Sequence, residues 1–273
     1  MADALRMGFK VGLSGSVAMS AQITAFMWLH TIMRFQYRHG TTAWDTIRLL
    51  YRDGGIFRFY RGYTFAIFNA PLIRFGSTAS NEASLKFLDS LNREIPLYAK
   101  TLCSASCAAL WKVIFTPFDM VQTTLQVGGA VGRADVVKKI RRKGLAVLWH
   151  GGSALYASAL VGNFSWFAVY NTLNQKWENH EDRTRQTLRD GSIGVCSTFF
   201  SDITTNSIEV LKTHRQTTKH SVGYFQAFSE IVGSDGVVGL VTRGLRVRLL
   251  TNCMQGAFFT IIWNGLQRNS GLR

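Results

Sequence analysis

The chain has 273 residues, 47% of them hydrophobic and 17% charged, with a formal net charge of +15. Apolar content is above that of an ordinary soluble domain, yet few runs reach about eighteen apolar residues unbroken, which excludes a bundle of uniformly greasy spans. The basic balance admits nucleic acid, an anionic membrane surface or an anionic substrate. No RNP aromatic pair, zinc-ligand spacing or basic helix-turn-helix accompanies it, so no nucleic-acid partner is expected.

In chain order, the first predicted span covers 7–38, where Gly8, Gly12 and Gly15 put small residues on one face for close helix approach. Residues 41–50 read as a short amphipathic segment, and a second span starts at Arg61-Gly62 and ends near Phe87. The third covers 97–126. Its apolar run 110–116 ends at Pro117, and a proline there removes a backbone hydrogen bond and kinks the helix. Asp119 at the bend is costly in lipid, so it should face a cavity or a partner on a neighbouring helix.

A polar loop with 134–142 follows, holding the basic cluster Lys138, Lys139, Arg141, Arg142 and Lys143. That cluster reads either as a solvated loop or as a contact to anionic headgroups, worth about 1 kcal/mol per basic residue. Further spans cover 152–177, 192–216 and 246–267, with a charged linker at 178–185. A helical bundle around a polar cavity explains polar spans of this kind. A soluble all-α protein of two or three domains is the competing reading.

Cys103, Cys107, Cys196 and Cys253 all fall in predicted helices and read as small packing residues. Cys103 and Cys107 lie one turn apart without the further ligands a metal site needs. No cofactor is implied. No catalytic motif appears either, and His214 and His220 read as isolated surface or interfacial histidines, so no enzyme is expected. The N-terminal stretch MADALRMGFK runs straight into the first span, so no cleavable leader is expected.

Three markers recur at a fixed period. PFDMVQTTLQ (117–126) aligns without gaps with WLHTIMRFQY (28–37) and SIEVLKTHRQ (207–216), placing His30, Asp119 and Glu209 89 and 90 residues apart. RDGGIFRFYRG, RRKGLAVLWHG and SDGVVGLVTRG then end at Gly62, Gly151 and Gly244. Nineteen residues after each glycine stand Asn81-Glu82, Tyr170-Asn171 and Trp263-Asn264. Such self-similarity sets the architecture before any local reading does.

This pattern resembles the mitochondrial carrier family, whose three repeats each carry P-x-[DE]-x-x-[KR] followed by [DE]-G-x4-[aromatic]-[KR]-G. The resemblance covers about residues 7 to 268 and implies an all-α membrane protein. Six transmembrane helices would form a bundle of pseudo-threefold repeats, with short amphipathic helices on the matrix side. One domain, 1–273, would hold repeats of approximately 7–90, 96–180 and 190–268, as a multi-pass protein of the mitochondrial inner membrane imported on internal signals.

Each even-numbered span begins beside a glycine, and free helix N-terminal N–H groups bind phosphate readily. The resemblance implies cardiolipin at these three sites, at Gly62, Gly151 and Gly244, with Arg61, His150 and Arg243 beside them. It also implies a matrix gate in which each acid pairs with a base three residues after the next repeat's acid. The acid positions here are His30, Asp119 and Glu209 and the base positions Met33, Gln122 and Lys212. Only Asp119 with Lys212 retains a charge pair; His30 would face Gln122, and Glu209 would face Met33.

The cytoplasmic gate, [FY]-[DE]-x-x-[KR] in the family, reads Glu82 with Leu85, Asn171 with Asn174 and Asn264 with Gln267. These residues read as a gate of amides or as packing. Family contact points fall at Asn69-Ala70, Ser158-Ala159 and Thr251-Asn252, all uncharged, which counts against nucleotides and di- or tricarboxylates. Lys112 and Asp202 hold equivalent heights on the third and fifth spans, where a pair across the cavity would be tolerated. Arg74, one heptad before Asn81, should face inward too.

The function this implies is a solute carrier acting by alternating access, with a small-molecule solute as cargo. The alternative is a transport-inactive accessory subunit of a larger inner-membrane complex, respiratory or ATP synthase.

Overall fold

In the computed structural model the described backbone covers residues 2–90, 96–178, 182–219 and 222–269, and the described side chains exclude 1–18, 259–269 and positions 78, 81, 82, 85, 86, 89, 97, 98, 183 and 184. Among the described residues there are ten α-helices and one 3-10 turn. They are α1 (Ala2–His39), α2 (Ala43–Arg58), α3 (Tyr63–Ser90), α4 (Leu97–Ile114), α5 (Thr116–Gly128), α6 (Gly132–Lys143), the 3-10 turn (Leu145–Trp149), α7 (Gly152–Lys176), α8 (Arg183–Thr217), α9 (Tyr224–Thr242) and α10 (Leu245–Asn269). The expected linker at 178–185 is therefore shorter: Asp182 caps α8 by accepting the Arg185 amide, and helix resumes at Arg183.

The long helices close on themselves. α1 packs on α3, α3 on α4, α4 on α7, α7 on α8, α8 on α10, and α10 returns to α1. The short helices α2, α6 and α9 lie against α1, α5 and α8, at the end where those three also touch one another. The ring is thus pinched at one end. The third long helix breaks at Phe115, whose φ of −89° and ψ of 5° interrupt α4, and Pro117 starts α5 at an angle of 61° to it. Proline is tolerated there because the first turn of a helix has no use for its missing N–H.

Threefold order shows in how the repeats seat. Gly62, Gly151 and Gly244 all hold left-handed φ values, of 84°, 97° and 66°. A Cβ on Gly62 would meet the Gln122 carbonyl at 3.1 Å; on Gly151, Lys212 Cγ at 3.0 Å; on Gly244, the Met33 carbonyl at 3.2 Å. Each glycine therefore sits on the base position of the next repeat, where only a missing side chain allows both the conformation and the approach. A turn between helices and a contact between repeats are met by one residue type.

Apolar packing joins the same seams. Phe26, Leu29, Ile32, Leu50, Phe59 and Val247 form one buried cluster, and Tyr37, Val210, Ile231 and Leu240 another. Large side chains such as Phe68, Phe75, Leu110, Phe164 and Leu250 are exposed, while Gln126, Asn206 and Gln216 are fully buried. Apolar outside with polar inside is the inverse of a water-soluble fold.

Among the described residues one helical stretch, Leu145–Lys176, is long and apolar enough by itself to cross a membrane, and Ala99–Ile114 with Thr116–Gly128 qualifies as a bent pair. Two minor expectations are corrected. Cys103, Cys196 and Cys253 are exposed rather than packed. His214 is buried, with Nε2 2.8 Å from Glu230 Oε2 and also beside Arg38. His220 lies outside the described residues.

Candidate functional site: a charged floor beneath a polar cavity

Where α1, α5 and α8 converge, the kink turns Asp119 into the middle of the bundle. Arg34 Nη2 lies 3.1 Å from one of its oxygens, and Lys212 Nζ lies 3.5 Å from the other. Gln216 donates to the same carboxylate at 3.3 Å. Arg34 also donates to Gln126 at 2.7 Å, and Lys212 bridges to Glu209 at 2.7 Å. Two acids and two bases from three helices thus neutralise one another in a buried plate. Charges this far from water are tolerated only when paired and hydrogen-bonded on several sides.

The sequence reading of this floor needs correcting in three places. Asp119 and Lys212 do meet, but Arg34 is a second cation on Asp119, placed one residue after the base position held by Met33. His30 does not face Gln122; Gln255 Nε2 on α10 lies 2.7 Å from His30 Nε2, and since the amide can only donate, the imidazole accepts. Glu209 faces not Met33 but Ser158, which donates to it at 2.8 Å, and its own Lys212. Ser158, expected in the cavity, braces the floor.

Above the floor lies a cavity of about 740 Å³, the size of an ordinary small-molecule site. Asn69, Arg74 and Lys112 line it, as do Arg34, His30, Asp119 and Gln122 at the floor. Ile23, Met27, Ile73 and Phe167 form an apolar part of the wall. The Asn69 side-chain oxygen and the Ser77 hydroxyl are buried here without a hydrogen-bond partner among the described residues.

Asp202 is not among the lining residues and does not pair with Lys112. It accepts from Arg248 Nε at 2.9 Å and from Asn252 at 2.5 Å, while Arg248 reaches Thr205 at 2.8 Å. Asp202 and Asn252 therefore join α8 to α10, and Thr251 is spent on the Val247 carbonyl of its own helix at 2.6 Å. Residue height along a helix set Asp202 level with Lys112; rotation about the axis separated them. Arg248 went unnoticed because no marker of the repeat falls on it.

At the open end, Asn174 is held by Arg189, which donates to its side chain at 3.0 Å, to its carbonyl at 2.8 Å and to that of Trp177 at 2.7 Å. It caps the C-terminus of α7 instead of reaching across the mouth. Asn171 is exposed. Glu82, Asn264 and Gln267 lie outside the described side chains.

Around the pinched end, Arg61 and Gly62 border a hollow of about 340 Å³ with Arg133. Arg61 Nη1 is buried there without a partner among the described residues. Arg243, by contrast, turns inward to Asp235 at 2.7 Å and Ser234 at 2.9 Å, so it is not free for a headgroup. Burial first, then Arg215, Lys143 and Lys139, hold His150 below its ordinary value, so it lies neutral beside Gly151. Arg58 donates to the carbonyls of Gln126 and Val127 at 2.7 and 3.0 Å, and Lys139 to that of Gln216 at 2.6 Å. Two of the three short helices, α2 and α6, thereby cap the C-terminal turn of the next repeat's floor helix, where the helix dipole favours a cation.

A ring of six long helices, greasy outside and polar within, closed at one end by a neutralised charge plate, defines a membrane protein with a solute-sized internal cavity. Residues 93–181 and 183–269 each match the family model described as mitochondrial carrier protein, and the chain belongs to that family. It is a six-transmembrane-helix bundle of a mitochondrial membrane. Two proteins of Saccharomyces cerevisiae are similar to it. Mitochondrial RNA-splicing protein MRS3 is 32% identical over 124 residues, 45% of this chain and 39% of its own length. Mitochondrial RNA-splicing protein MRS4 is 30% identical over 123 residues, 44% and 40% respectively. The chain spans about two fifths of the length of the curated relatives it matches.

Proposed function

We propose that the chain is a solute carrier of the mitochondrial inner membrane that works by alternating access, without covalent chemistry. The observation that carries this reading is the floor. A charge plate sealing one end of a solute-sized cavity, with Asp119 shared between Arg34 on α1 and Lys212 on α8, is a closure made of separable parts. Parting α1, α5 and α8 would exchange these pairs for water and open the cavity to the matrix. Cardiolipin at the starts of α3, α7 and α10 remains part of this proposal, best supported at the Arg61 hollow.

One observation favours a second reading, a carrier-like protein fixed as an accessory subunit of a respiratory or ATP synthase assembly. Asn174 is committed to Arg189, so the base position of that repeat is not free to close the opposite mouth. A cysteine at Gln122 on a Cys-free background separates the two. In an alternating carrier an impermeant maleimide labels it from both faces of oriented vesicles. Labelling from the cavity side alone, together with stoichiometric co-migration in a large native complex, overturns the carrier reading.

A further inference from the structure

We infer that a hollow between the end of α7 and the start of α8 binds the phosphate group of an anionic amphiphile. The site lies at the open end, outside the central cavity, and does not rest on the carrier reading. It is a shallow recess of about 650 Å³. Lys176 and Glu178 border it where α7 ends, and Arg185 and Arg189 border it from the first two turns of α8. Arg189 is paired with Asp190 at 2.9 Å. Lys176 and Arg185 then face Glu178 alone, which leaves one positive charge in excess. Among the described residues none of these three has an ion-pair or hydrogen-bond partner for its side chain.

Arg189 supplies the fixed donor of the site. Its side chain is 4% exposed. Nη1 donates to the Asn174 side chain and to Asp190, and Nη2 to the carbonyls of Asn174 and Trp177. Nε is left over, buried without a partner among the described residues. A buried donor left open in this way costs free energy that a ligand oxygen relieves. Four bonds already fix the guanidinium plane, so the remaining N–H is preorganised for an oxyanion. A phosphate accepts from it while its other oxygens reach towards Lys176 and Arg185. A planar carboxylate serves three donors on two helices less well.

The apolar neighbours say what the phosphate is attached to. Trp177, in the extended conformation that ends α7, and Leu188 both line the hollow, and both are exposed. An indole at the end of a long helix suits the boundary between water and hydrocarbon, where its ring meets acyl chains. Bare inorganic phosphate leaves that surface unused. A phospholipid with an unmasked phosphate uses both parts of the recess.

Lys176 reports occupancy in the intact protein in detergent. Sulfosuccinimidyl acetate acetylates accessible lysines, and mass spectrometry maps them. Lys138, exposed in α6, is the internal control. Dihexanoyl phosphatidic acid at about four times its dissociation constant is expected to slow acetylation of Lys176 about fivefold and to leave Lys138 near its original rate. Dihexanoyl phosphatidylcholine, with the same chains and a neutralised headgroup, should leave both lysines unchanged. Inorganic phosphate should protect Lys176 less than the lipid does; equal protection keeps the phosphate site and assigns it to a soluble ligand.

Arg185→Gln removes an exposed side chain, so it should keep the parent melting point while weakening the protection by about threefold. No protection at Lys176, equal protection at Lys138, equal effects of the two lipids, or full protection in Arg185→Gln overturns the proposal.

Discussion

Asp119→Asn isolates the charge of the floor, since the amide keeps the size of the carboxylate and one acceptor oxygen. Removing one partner of a buried ion pair costs about 3–5 kcal/mol, largely because the other charge is stranded. Here the stranding is partial. Lys212 keeps Glu209 at 2.7 Å, and Arg34 keeps Gln126 at 2.7 Å with 17% of its side chain exposed. A loss of about 2–3 kcal/mol is expected, which for a chain of this length corresponds to a melting point lower by about 4–10 °C.

Because the pairs exist only while α1, α5 and α8 converge, the same energy falls on the closed state. Matrix-side labelling of the Gln122→Cys probe should rise by roughly 30- to 150-fold if the open state is otherwise unchanged. Arg34→Gln combined with Asp119→Asn should cost less than the two singles together, since both act on one contact. A melting point within about 1 °C of the parent with unaltered labelling would refute the reasoning and assign the closure to apolar packing.

Three further outcomes follow from other parts of the molecule. Asp202→Asn should lower the melting point by a similar amount, by stranding Arg248 between α8 and α10. Gly151→Ala should destabilise, because a left-handed non-glycine costs about 1–2 kcal/mol and the methyl group would also lie 2.9 Å from Gln216 Nε2; Gly191→Ala, in open space on α8, should be neutral or stabilising in the same melting assay. Burial lowers Lys139 from its ordinary 10.5 to about 8. Between those values the unfolded chain holds a proton that the folded chain has released, so this contribution to stability rises with pH. Melting points compared from pH 7.5 to 10 should show that rise in the parent relative to Lys139→Gln, and identical slopes would remove it.

Much of the architecture is legible from spacing. The repeat of acids, glycines and aromatic markers sets three equivalent units, and Pro117 with an acid two residues later marks the kink and the buried carboxylate. These features are readable because each follows from backbone geometry: proline ends a hydrogen-bonded turn, and glycine alone takes the left-handed seat at 62, 151 and 244. The six long helices were less visible to hydropathy, since inward faces carry polar residues and one helical stretch alone passes as a span among those described.

Partner choice belonged to the tertiary structure. Arg34 sits one residue past its expected base position, and a rotation of one residue about a helix brought it, in place of Met33, to Asp119. Asp202 and Lys112 share a height but not a direction, so Arg248 captured the acid. Sequence period determines how far along the axis a side chain lies and only roughly which way it points, because small tilts and the 61° break at Phe115 turn whole faces. The chain by itself therefore determined the repeat, the fold and the acid at the kink. The helix rotations decided which charges cancel.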